Sequence, residues 1–200
     1  MLALSALVAC GPQNTVGPVA GVPFPIASAH LTVDPGTFGA DDLVTVTLSS
    51  LPASCEAERS FRAASLDAGT PEALAAAWSA AYPDAFFEVD VAARVTGGTW
   101  PGRGALWSGL AWDAFPEQNN VVFGVLTEHV APRDAAYWEG EYDDEDDYEH
   151  VFYTDGGLLQ WGAAQPGVRL SGRFNTDVVD GDGADAGSTE IRFDATICGL

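Results

Sequence analysis

Crowded carboxylates and clustered indoles are the side chains here whose spacing suggests chemistry. Residues 139–150, EGEYDDEDDYEH, place eight carboxylates within the eleven residues from Glu139 to Glu149, interleaved with Tyr142 and Tyr148. Such a density repels itself and stays in water. There it would be a plain solvated loop, a hard-cation site offering the roughly six to eight oxygens that Ca²⁺ takes, or a patch for a cationic partner. A second acidic stretch, NTDVVDGDGADAGSTE at 175–190, carries Asp180, Asp182 and Asp185. Tested against an EF-hand loop beginning at Asp180, position five is Ala184, six is Asp185 and twelve is Ile191, so the pattern fails and only an irregular Ca²⁺ site is left. Trp100, Trp107 and Trp112 fall in WPGRGALWSGLAW beside Asp113. Exposed coplanar indoles next to a carboxylate would make a sugar platform, because a pyranose face stacks on an aromatic ring while the acid accepts its hydroxyls; packing within the fold is the simpler use.

Other chemistries are excluded by composition. The chain has 29 Asp and Glu against eight basic residues, all Arg, for a net charge of −21. Nucleic acids and anionic membrane surfaces would repel it, since their recognition requires Lys and Arg to neutralise phosphates. The absence of Lys removes Schiff-base chemistry, pyridoxal phosphate attachment and the phosphate-binding loop. Ser108 has Leu106 and Leu110 where a nucleophile elbow needs glycines, there is no HExxH, and Gly102-Arg103-Gly104 lacks its third glycine because Trp107 stands there. His30, His129 and His150 are isolated in the sequence and are expected to be structural or exposed. No catalytic activity is therefore expected. Paired carboxylates for a hydrolase are uninformative in so acidic a chain.

Three cysteines make an odd count. Cys10 follows LALSALVA, eight residues that suit the apolar core of a secretory signal but fall far short of a membrane span. The last four residues, Leu7-Val8-Ala9-Cys10, resemble the lipobox of bacterial lipoproteins. The resemblance implies lipid transfer to the Cys10 thiol, cleavage before Cys10, and an exported chain anchored to a bacterial membrane, at the outer membrane or at the cell surface or periplasm. No basic residue precedes the apolar run, so the true start is expected upstream of Met1. Residues 1–9 are then a signal segment and 10–28, rich in Pro and Gly, a lipidated tether reaching up to ~55 Å. Cys55 and Cys198 remain as an even pair in an oxidising compartment, and a disulfide between them is expected, worth at most about 5 kcal/mol by loop entropy.

From residue 29 to 200 the pattern is that of one β-rich domain. Val44, Val46 and Leu48 alternate with Thr45, Thr47 and Ser49, and Phe87, Val89, Val91, Ala93 and Val95 alternate with Glu88, Asp90, Ala92 and Arg94, which predicts strands wet on one face. VVFGVLTEHV at 121–130 reads as a central strand covered on both sides. Residues 150–154 and 158–162 flank Asp155-Gly156-Gly157, which is hairpin chemistry. Segments around 168–174 and 191–197 should pair, setting Asp194 beside Arg173, with a 16-residue loop between them.

A helix is predicted over 71–82, capped by Thr70, begun by Pro71 and stopped by Pro83, with Leu74, Ala77, Trp78, Ala81 and Tyr82 as its apolar stripe; a shorter one is expected over 56–64. Together these predict a mainly β fold, an antiparallel β-sandwich of about seven or more strands with one packed helix. The functional expectation is a lipid-anchored cell-envelope protein with a binding or structural role. A carbohydrate- or Ca²⁺-binding surface module is the alternative, and a hydrolase the third reading. The membrane, reached through the lipid, is the one partner expected; no resident cofactor is required unless Ca²⁺ binds, and a protein or polysaccharide partner is not identified.

Overall fold

A computed structural model describes residues 14–38, 41–96, 103–106, 121–140, 148–165 and 169–199. Ten strands and three helices follow in the order β1 (Thr15–Val16), β2 (Ser28–Phe38), β3 (Asp41–Ser49), α1 (Ser54–Ser65), α2 (Pro71–Ala81), β4 (Phe86–Thr96), β5 (Arg103–Leu106), β6 (Val121–His129), α3 (Ala135–Glu139), β7 (Glu149–Thr154), β8 (Leu158–Gln165), β9 (Arg169–Asp180) and β10 (Asp185–Ile197). The fold is mainly β, as the alternating pattern predicts. No helix among the described residues is long and apolar enough to cross a membrane.

The two facing walls of the expected sandwich belong to one sheet that closes on itself. Pairings run β10–β2–β3–β4–β6–β7–β9 and back to β10, with β5 and β8 completing the wall between the far ends of β6 and β9. Most joins are antiparallel, but β10 meets β2 in parallel at Thr196↔His30 and Ile197↔Leu31, and β5 meets β6 in parallel. Closure removes most of the exposed edges that an open sheet would leave.

Interior positions come from the apolar half of each alternation: Leu31, Val46, Leu48, Val89, Val91, Leu126, Leu159, Leu170 and Ile191 are all fully buried in one cluster. Gly172 belongs to this packing, since a Cβ there would stand 2.5 Å from Phe193 Cζ.

Several sequence expectations are corrected by this topology. The tether does not extend over 10–28. From Asn14 onward the chain lies on the barrel: Thr15 and Val16 pair with β10, Val19 and Phe24 are in the core, and Phe24 packs on Phe87 with ring centroids 4.8 Å apart. Pro and Gly shape a close-fitting strap here, and the described domain begins at 14 rather than 29. Residues 155–157 are not a hairpin turn, because β7 and β8 do not pair with each other. Both run along β9 in the same direction, and the positive φ values of Gly156 and Gly157 serve a kink between them.

The long loop expected between the last two strands is mostly strand: β9 and β10 extend the hairpin until only residues 181–184 separate them. In that register Asp194 faces Ser171, and its ion pair is with Arg169 on the diagonal rather than with Arg173, which faces Arg192 and donates to Gln160.

Helices α1 and α2 form a hairpin laid over the outer face of β2, β3, β4 and β6. Thr70 caps α2, its Oγ1 accepting from the Ala73 N–H at 3.3 Å, and Trp78 is the buried residue of the predicted stripe. Cys55, in the first turn of α1, is disulfide-bonded to Cys198, just past β10, so the bridge fastens the helical layer to the parallel seam of the barrel. Next to it, Arg59 Nε donates to the Gly199 carbonyl at 2.9 Å, and Cys198 N–H to the Leu31 carbonyl at 2.7 Å.

Candidate functional site

The faces predicted to be wet on β3 and β4 are not simply solvated. Outward-facing Thr47, Ser49 and Ala92 are buried, because the helical hairpin and the segment 131–139 cover this side of the barrel. The covering is incomplete. Between helices and wall lies a recess of about 380 Å³, its floor made by Thr32, Thr45, Thr47 and Thr127 and its rim by ionisable and aromatic side chains.

Strand alternation sets Glu88 and Asp90 on the same outward face of β4, two residues apart, and register brings Thr47 of β3 opposite Asp90 and Thr127 of β6 opposite Glu88. Thr47 Oγ1 donates to Asp90 Oδ1 at 2.6 Å. From α1, Glu58 reaches His30 Nε2 at 2.6 Å and Arg62 Nε at 3.2 Å, while Arg62 also lies 3.6 Å from Asp34. His30 Nδ1 shares a hydrogen bond of 2.9 Å with Ser54 Oγ, which lies 2.7 Å from Ser28 Oγ. This Ser54–His30–Glu58 line resembles a nucleophile array on paper, but Ser54 is only 3% exposed and does not line the recess, so the line braces α1 against β2.

The far wall is aromatic. Trp78 and Tyr82 lie 4.2 Å apart, Tyr82 stacks on Phe86, and Phe86 stacks on the His129 imidazole at 4.1 Å. Arg133 lays its guanidinium 4.2 Å over the Trp78 ring and 4.6 Å over Tyr137, with Nη2 2.5 Å from Glu149 Oε2. A cation held between an aromatic face and a carboxylate is already a feature of this wall.

Electrostatics follow from the covering. Burial pushes the Glu88 carboxyl up to about 7, helped by the nearby Glu58 charge and opposed by His30 and Arg133. Burial also raises Asp90, to about 8, with Glu88 the next cause and the Thr47 hydroxyl opposing. The two titrate as a pair that shares its last protons. Tyr82 is pushed above the usual phenol range by burial and the same carboxylates. His129 goes the other way: burial, then the Arg133 charge, hold it neutral and take it down to about 4, against the pull of Glu149.

His129 is the polar group least provided for. Its side chain is 4% exposed, and neither ring nitrogen has a hydrogen-bond partner of good geometry among the described residues. Nε2 lies 3.5 Å from Glu88 Oε2 and Nδ1 3.4 Å from Glu149 Oε2. A neutral imidazole has one N–H, so whichever nitrogen carries it, the other turns a lone pair toward a carboxylate.

Sequence-predicted site residues fall elsewhere. Cys10, Trp100, Trp107, Trp112, Asp113 and most of the acidic run lie outside the described residues. Asp180, Asp182 and Asp185 sit on the β9–β10 turn, where Asp180 Oδ1 accepts from the Asp182 and Ala184 N–H groups and Asp185 Oδ1 from Gly187 N–H, so two of the three carboxylates cap their own backbone. No group of three potential metal ligands occurs among the described residues.

Sequence patterning does not reveal the recess, and it leaves His129 on its rim and His30 beside it looking isolated. One signal for it is present: Phe86 and Phe87 are consecutive, so they point to opposite faces of β4, and two aromatic residues in that arrangement require apolar cover on both sides. No family model matches the chain, and neither the curated proteins nor the solved structures offer a match.

Proposed function

We propose that this chain is an exported, lipid-anchored binding protein that takes a small polar molecule into the recess between its helical hairpin and the outer wall of the barrel. The observation that carries this reading is His129, a buried polar side chain without a hydrogen-bond partner among the described residues, lining a recess that is otherwise provided with hydroxyls, carboxylates and an aromatic wall. Buried polar groups in folded proteins are satisfied in the great majority of cases, so an orphan beside a cavity of ligand size points to a guest.

The anchor belongs to the same reading. With Cys10 lipidated, the described domain, which begins at Asn14, follows its anchor by four positions in the sequence and would sit close to its membrane. Display at the end of a long stalk is given up.

Thermal melting against a panel of sugars, amines, amino acids and carboxylates, followed by calorimetric titration of any compound that raises the midpoint, tests the binding role. The reading expects a saturable, one-to-one ligand whose binding is lost in Trp78→Ala and unchanged in Asp182→Asn. A panel without a single saturable ligand overturns it. Mass spectrometry of the N-terminal peptide tests the anchor: an acylated Cys10 is expected, and an unmodified thiol in protein from its native membrane contradicts it.

A further inference from the structure

We propose that the molecule bound in the recess is a small organic cation, its ammonium group received by Glu88 and Asp90 beside the Trp78 and Tyr82 rings; this rests on the recess being a binding site at all. Four carboxylates line it, those of Asp34, Glu58, Glu88 and Asp90, and its two arginines are already engaged. Arg62 serves Glu58 and Asp34, and Arg133 serves Glu149. Glu88 and Asp90 are left without an arginine in ion-pair distance among the described residues. Their neighbours are Glu58 and His30 across the helix–sheet boundary, His129 and Thr127 on β6, Arg133 and Glu149 beyond them, Tyr82 beyond α2, and Thr47. Of the groups that oppose their raised values, His30 has its Nε2 committed to Glu58 and Arg133 has its guanidinium committed to Glu149.

The orphaned imidazole sharpens the choice of ligand. Held neutral between Glu88 and Glu149, His129 sets a lone pair against a carboxylate oxygen on one side. That conflict is relieved by a hydrogen-bond donor: a proton on Glu88, or a ligand group that donates in several directions. An ammonium donates three ways and has no lone pair to add to the conflict. A carboxylate or phosphate ligand would worsen it and meet the Glu88–Asp90 pair as a like charge. A neutral sugar would satisfy the threonine floor but leave the pair's excess charge where it was. The wall already holds one cation on an aromatic face, that of Arg133 over Trp78. Trp78 and Tyr82 extend that face to the recess.

Cation binding then competes with protons. Near neutrality the Glu88–Asp90 pair retains protons because burial and mutual repulsion disfavour the second charge. An ammonium that enters must displace them, so binding releases protons and weakens as pH falls.

The test is isothermal titration of the full chain with 1,4-diaminobutane, agmatine, glucose and citrate at about pH 7 and about 150 mM NaCl, in two buffers of different ionisation enthalpy. The proposal expects one diaminobutane or agmatine per chain, release of a fraction of a proton to one proton on binding, roughly tenfold or greater weakening at about pH 5.5, and a comparable loss in Glu88→Gln. That variant keeps the shape of the protonated carboxyl and is expected to fold at least as well as the parent, which its melting curve checks. One-to-one binding of glucose or citrate without proton release, and none of the amines, leaves the recess a binding site and overturns the cation. Amines that bind at many sites and are removed by salt also overturn it, since that is diffuse attraction to a chain of charge −21. Absence of binding by every probe, with no change in the Trp78 environment, overturns the binding reading together with the proposal.

Discussion

Glu88 and Asp90 make stability depend on pH in a direction opposite to that of most surface carboxylates. Both hold their protons more tightly folded than unfolded, so their contribution is complete below about pH 4 and is lost as pH rises through about 7 and about 8. His129 acts in the reverse sense. Its depressed value means that its contribution is complete above about pH 6.5 and is lost as pH falls toward about 4. Of these three groups, the carboxyl pair therefore acts alone above about pH 6.5.

Between about pH 6.5 and about pH 8.5 the folded pair holds on average about one proton that the unfolded chain does not. Each such proton changes stability by about 1.4 kcal/mol per pH unit, so the rise in pH should cost on the order of 3 kcal/mol. For a chain of this size that lowers the melting midpoint by roughly 5–10 °C. Calorimetric melts of the parent and of Glu88→Gln/Asp90→Asn at both pH values measure it. The double variant should melt at nearly the same temperature at either pH and above the parent at the higher one. The amide introduced at position 90 keeps a carbonyl oxygen for the Thr47 hydroxyl that now donates to Asp90. General repulsion from the net charge is almost constant over this range, because the exposed acids are already ionised, so it cancels in the comparison. Parallel slopes for parent and variant would refute the assignment of the raised values to this pair.

Three further outcomes are expected. Replacing both Cys55 and Cys198 with alanine should cost about 2–5 kcal/mol in denaturant unfolding, and because the bridge fastens α1 it should also weaken ligand binding; equal affinity in the folded variant would separate the recess from the bridge. Phe24→Ala should destabilise by about 3–5 kcal/mol, as expected for a buried phenylalanine, whereas a residue in a free tether would cost nothing measurable on the same unfolding curve. Gly172→Ala should cost about 1–3 kcal/mol by forcing the Phe193 ring aside, read from the urea midpoint; an unchanged midpoint would show that the ring has room to move.

Much of the barrel is legible in the sequence because it rests on local signals. Period-two alternation locates β3, β4, β9 and β10, and the Thr70-Pro71 start and Pro83 stop mark α2 almost to the residue. What alternation does not reveal is which strands close a ring, since the β10–β2 seam joins residues separated by most of the chain. The kink at Gly156 and Gly157 reads as a reversal because positive φ suits both, and only the long-range partner β9 distinguishes them.

The recess is hidden for a related reason. Glu88 and Asp90 on the polar side of an alternating strand look solvated until the helices that cover them are placed, and α1 and α2 carry no sequence mark naming the face they will cover. His30 and His129, single in the sequence, acquire significance through register, which sets them across β3 and β4 on the same outer wall. The strap from Asn14 to Ala27 passes for a tether because Pro and Gly density describes extended chain without saying whether that chain is free or laid against a surface; Val19 and Phe24 are its clue.

The most direct measurement is the ring ¹⁵N spectrum of His129 during titration with 1,4-diaminobutane near pH 7. Binding in the recess predicts saturable shifts at both His129 nitrogens, with matching shifts at the Trp78 indole and none at the Asp180–Asp185 turn. An imidazole that stays unmoved while shifts spread over the acidic surface would contradict it.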